Sequence, residues 1–101
     1  MAEEGYVRCR VTGGERLPAE SGGSAALCAA IENAMATRLP GMDCNADIAV
    51  MSPTRLACRL TVEGRELPEQ QQSSVDRPLM RSTFERFAKG LAEQAAELLG
   101  R

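Results

Sequence analysis

The stretch ADIAVMSPTRLACRLTVE, residues 46–63, decides the fold. Ala46 to Met51 alternates, with Ile48 and Val50 on one side and Asp47, Ala49 and Met51 on the other, the period of a half-buried strand. Ser52-Pro53-Thr54 reads as a short turn, because proline presets the backbone angle that many turns need. Alternation resumes from Arg55 to Glu63, where Leu56, Cys58, Leu60 and Val62 form an apolar row opposite Arg55, Arg59, Thr61 and Glu63. Two strands joined by a tight turn follow from this pattern.

Working outward, Tyr6 to Thr12 alternates in the same way, with Val7, Cys9 and Val11 on one side and Tyr6, Arg8, Arg10 and Thr12 on the other. A glycine-rich loop spans 13–23. Ser24 is placed to cap a helix running to about Leu39, along which Leu27, Ile31, Ala34 and Met35 follow helical spacing. Cys28 lies beside that row, and Pro40-Gly41 ends the helix. Downstream, 64–75 carries Gln70-Gln71-Gln72-Ser73-Ser74 and reads as a polar, mobile connector. Asp76 is expected to cap a second helix with Pro78 in its first turn. Met80, Phe84, Phe87, Leu91, Ala95 and Leu98 make its apolar stripe, closed by Gly100.

CRVTGGERLP at 9–18 returns as CRLTVEGRELP at 58–68, with one residue inserted. Each copy reads as a strand end, a charged turn around glycine and a Leu-Pro exit. The expected order is β-α-β-β-α in one α+β domain spanning 1–101. A right-handed crossover, with the third strand hairpinned back between the first two, gives a mixed three-stranded sheet of order 1-3-2 and two helices on one face. In topology this resembles a ferredoxin-like split βαβ lacking its last strand. The echoed strands then become antiparallel neighbours.

At 101 residues the chain can bury one core. Apolar residues make up 44 % and aromatics only 3 %, so that core is aliphatic, alanine and methionine. A net charge of −2 gives no electrostatic reason to expect a nucleic-acid partner. Lys89 is the only lysine, and arginine with abundant alanine and glycine fits a GC-rich bacterial coding bias. No run approaches the roughly 20 apolar residues of a membrane span, and the acidic N-terminus is unlike a signal. The expectation is a cytoplasmic protein, or a periplasmic one if a signal peptide has been removed.

The chemistry-bearing residues are sparse. No histidine is present, no Cys-x-x-Cys and no nucleophile motif, so neither an enzyme nor a metal or other cofactor is expected. Cys9, Cys28, Cys44 and Cys58 are read as buried free thiols, the rival being a Cys9–Cys58 bridge in an oxidising compartment. Asp43, Asn45 and Asp47 alternate like a calcium loop, but the glycine and glutamate that should follow are Ile48 and Thr54. The loop 13–23 matches neither phosphate-binding glycine motif, and Glu15 and Glu20 would repel phosphate.

Arg8, Arg10, Arg55 and Arg59 are expected to converge on the sheet face away from the helices, as the candidate ligand or interface residues. The leading expectation is a non-catalytic protein-interaction or assembly module that forms a homodimer through its first strand. An edge strand without proline or lysine is open to pairing. Glu3, Glu4 or Asp47 are the residues available to offset its arginines. The alternative is a small-ligand or anion-binding domain using the arginine face or the loop 13–23.

Overall fold

The structure is a computed structural model describing residues 6–100. Strand β1 (Val7–Thr12) leads through two short 3-10 turns into helix α1 (Gly23–Arg38). Strands β2 (Cys44–Ser52) and β3 (Arg55–Val62) form the expected hairpin, and helix α2 (Arg81–Leu98) closes the chain. Between β3 and α2 lie two short strands, β4 (Arg65–Glu66) and β5 (Gln70–Ser73).

The architecture is α+β, with one mixed sheet and two helices. On β2, Cys44, Ala46, Ile48 and Val50 are buried, and on β3 Leu56, Cys58, Leu60 and Val62. They share one core with Leu27, Ile31 and Met35 of α1 and Phe84, Phe87 and Leu91 of α2. Both helices therefore cover one face of the sheet and leave the other open. On α2 the buried stripe holds Phe84, Phe87, Leu91 and Ala95 as its spacing requires, whereas Leu98 is exposed.

The strand order differs from 1-3-2. β1 pairs parallel with β2, in register Val7↔Cys44 to Thr12↔Ala49, and β3 lies on the far side of β2. Alternation sets which face of a strand is apolar but not which flank of β2 a hairpin partner takes. Flank choice follows from coverage. β3 carries a fully buried row and receives a strand on each side, whereas Val7, Cys9 and Val11 are only partly buried, as suits an edge. The two echoed segments are consequently not neighbours, and β2 separates Cys9 from Cys58.

The polar connector is also a correction, because it continues the sheet. Glu63 and Gly64 both have positive φ (52° and 79°), which makes the two-residue reversal that turns β3 into β4. β5 then pairs antiparallel with β3, from Arg55↔Ser73 to Cys58↔Gln70. Backbone pairing, not apolar burial, holds these glutamines in a strand. Deleting 70–73 should therefore destabilise the protein by about 2–4 kcal/mol, the scale of a few lost backbone hydrogen bonds. Urea denaturation measures it, and an unchanged midpoint would show that β5 contributes nothing.

Both helix starts differ by a few residues. Gly22 precedes α1, and the Ser21 hydroxyl, not Ser24, takes the Gly23 N–H at 3.1 Å. α2 begins only after Met80, because Leu79 is buried and its N–H donates to the Pro53 carbonyl at 2.8 Å, which holds the segment through Asp76 and Pro78 outside the helix. Within 13–23, Gly13 has φ +78°, and a Cβ there would run into the Val50 carbonyl. Gly13 thus serves a turn packed against β2.

Candidate functional site

All four candidate arginines stand on the open sheet face, but they do not form one cluster. Register places Arg10 opposite Asp47, and Asp47 opposite Arg59, so two arginines flank one carboxylate. Arg10 Nε lies 3.9 Å from Asp47, both side chains well exposed, and Arg59 Nε lies 3.4 Å from Glu69 at the start of the β5 segment. Arg8 sits one row away, opposite Asn45, with its guanidinium 4.9 Å from the Tyr6 ring centre. Arg55 is at the far end of β3, opposite Ser52 and Ser73. Between Arg59 and Arg55 lies Ala57, opposite Ala49, so the middle of the face is small and flat. Exposed pairs of this kind contribute little stability.

The carboxylates of this face have distinct partners. Asp47 takes Arg10, whereas the Glu63 carboxylate accepts the Asp43 N–H at 2.6 Å. Asp43 in turn accepts the Tyr6 N–H at 3.1 Å, fastening the entrance to β1. The Asp43, Asn45, Asp47 alternation is therefore the polar row of β2 with its lead-in. Glu3 and Glu4 lie outside the described residues.

The edge of β1 has a geometry that alternation alone did not reveal. The Cys44 N–H donates to the Tyr6 carbonyl at 2.7 Å, and the parallel register carries this pattern along the strand. Tyr6, Arg8, Arg10 and Thr12 thus direct their main-chain groups toward β2. Val7, Cys9 and Val11 direct theirs outward, leaving three N–H and three C=O groups without a strand partner among the described residues. Their side chains meanwhile point to the helix side of the sheet.

In the glycine loop several amides are already engaged. Arg16, Leu17, Ser21 and Gly22 donate to carbonyls of Gly13, Gly14, Pro18 and Ala19 at 3.0–3.1 Å. These four donors are therefore not offered to an anion. A groove of about 650 Å³ also runs between the helices, floored by Ala26, Ala30, Ala34 and Ala92 and rimmed by Arg81 and Lys89 among others.

The cysteines differ from both sequence readings. Cys9 on β1 is bonded to Cys28 on α1, with Cα atoms 5.6 Å apart, while Cys44 and Cys58 are buried free thiols. Cys9 lies on the helix-facing row of β1 and Cys28 beside the apolar row of α1, so a strand-to-helix contact was the signal available. Closing a loop with a sequence separation of 19 is worth about 3 kcal/mol in the chain-entropy account.

Burial pushes the Cys44 thiol up to about 11, with Glu63 and then Asp43 adding to it. Burial likewise raises Cys58 to about 12, with Asp47 and Glu69 contributing. Raised folded values favour the protonated thiol, so this contribution is complete below the unfolded value of 9.0 and is lost as pH climbs toward 11 and 12. We expect stability to fall over that alkaline window. In titration with a thiol reagent at pH 8, the native protein should react slowly, the denatured unreduced protein should show two thiols and the reduced protein four. Four thiols before reduction would contradict the Cys9–Cys28 bridge.

No family model, curated protein or solved structure matches this chain.

Proposed function

We propose that this protein is a non-catalytic interaction module that self-associates through the outer edge of β1. The carrying observation is the row of outward main-chain groups on Val7, Cys9 and Val11, on a strand of six residues with neither proline nor lysine. Natural edges are normally blunted by such residues, by bulges or by a covering segment. The opposite edge supports the contrast, since there the strand is broken into β4 and β5 around Leu67 and Pro68. The partial burial of Val7, Cys9 and Val11 adds support, because a second copy would extend the sheet and complete their cover.

A twofold axis beside β1 makes such pairing closed, giving a homodimer and not a filament. Light scattering at tens of micromolar should report twice the chain mass, and a monomer at that concentration would overturn the reading. No described helix is long and apolar enough to cross a membrane. As for compartment, the Cys9–Cys28 bridge supports the periplasmic alternative over the cytoplasmic one, because reducing cytoplasm keeps such pairs open. Thiol counting on protein taken from each compartment tests it.

A further inference from the structure

We infer that the Cys9–Cys28 bridge is a redox control on the β1 edge. Closed, it holds the strand ready to pair with a second copy; opened by a dithiol reductant, it lets the strand fray and the pairing weaken. The inference rests on the self-association proposed above. Cys9 is the middle one of the three residues whose main-chain groups point outward, so the bond sits at the centre of the edge that pairs.

Apart from that bond, β1 is lightly held. It pairs with β2 alone, and Val7, Cys9 and Val11 are only partly buried. Its entrance is fastened by the exposed hydrogen bond from the Tyr6 N–H to Asp43. Beyond Thr12 the chain is firmly seated, with Leu17 buried and Arg16 donating to the Val50 carbonyl at 3.2 Å. Fraying therefore runs from Val7 towards that turn, and Cys9 lies within the stretch that opens. Strand ends with few buried contacts open locally at little cost. Cys28 cannot follow, because Leu27, Ile31 and Met35 are fully buried and hold α1 in the core. The bridge thus ties a thinly covered strand to a deeply seated helix.

The step is a two-electron reduction. A dithiol attacks the bridge, the bond between the two sulfurs breaks, and the reductant leaves as its own disulfide. It gives up two electrons and two protons, and Cys9 and Cys28 each become a thiol. Cys44 and Cys58 are already free and buried, so they take no part. Because the ordered edge both pairs and carries the closed bridge, association and oxidation each strengthen the other.

Sedimentation equilibrium with and without dithiothreitol tests this, with thiol counting to show that reduction is complete. The dimer should weaken about tenfold on reduction, because an opened strand ordered about one third of the time must be ordered in both copies at once. By linkage, each bridge should be about threefold harder to reduce in the dimer than in the monomer. A Cys9→Ala, Cys28→Ala double variant should dimerise as the reduced parent does and ignore the reductant. Residue-resolved hydrogen exchange at monomer concentrations should show Arg8, Arg10 and Thr12 losing protection on reduction while the β2–β3 hairpin keeps its own. A reduced parent that dimerises as tightly as the oxidised one would overturn the control while leaving the self-association intact. So would a loss of protection across the whole sheet, since that is unfolding and not release of an edge. An oxidised parent that stays monomeric would instead refute the self-association.

Discussion

Phe84→Ala is expected to lower the melting temperature by on the order of 15 °C. Phe84 is the largest of the fully buried side chains, and it lies in the one core shared by both helices and the sheet. Removing its ring forfeits the transfer free energy and leaves a cavity, together about 3–5 kcal/mol. Phe87, 8 % exposed at the margin of the same stripe, should cost less on truncation. Glu85→Ala, one residue along and exposed, should be nearly neutral. Equal melting temperatures for Phe84→Ala and Glu85→Ala would refute the assigned face of α2.

Val11→Pro should convert the dimer to a monomer while leaving the fold in place. The Val11 N–H points away from β2, so proline removes a donor used only between copies, and proline is tolerated on an edge whose N–H faces outward. Val7→Pro should act in the same way for the same reason. Arg10→Pro is the contrasting variant: its N–H points toward β2, so proline there should cost the β1–β2 ladder and lower stability. Near-identical circular dichroism and melting for Val11→Pro, with halved mass, is the expected pair of results. A Val11→Pro protein that still dimerises would move the interface elsewhere.

Strand faces and helix stripes were legible because they are local. The alternation of Ile48 and Val50 and of Leu56 to Val62 named the buried rows of β2 and β3, and Phe84, Phe87 and Leu91 named the buried side of α2. Flank and partner were not legible. Nothing in Tyr6 to Thr12 distinguishes pairing with β2 from pairing with β3, and the 9–18/58–68 echo pointed to the wrong neighbour because the two turns do different work. Gly13 packs against Val50, whereas Gly64 closes a two-residue reversal. The β5 glutamines carried no apolar row to announce a strand, since β3 holds them through its backbone. Among the candidate site residues, membership of the open face was read from alternation for all four arginines. The pairing of Arg10 with Asp47 and Arg59 with Glu69, and the distance of Arg55 from both, depend on register.

Amide hydrogen exchange, resolved by residue and followed across a dilution series, tests the edge pairing most directly. At high concentration Val7, Cys9 and Val11 should be protected alongside Arg8, Arg10 and Thr12. On dilution through the dissociation range the first three should lose protection, while the other three, bonded to β2, keep it. Fast exchange at Val7, Cys9 and Val11 at every concentration, with Arg8, Arg10 and Thr12 protected throughout, would show that the β1 edge stays unpaired and contradict the account.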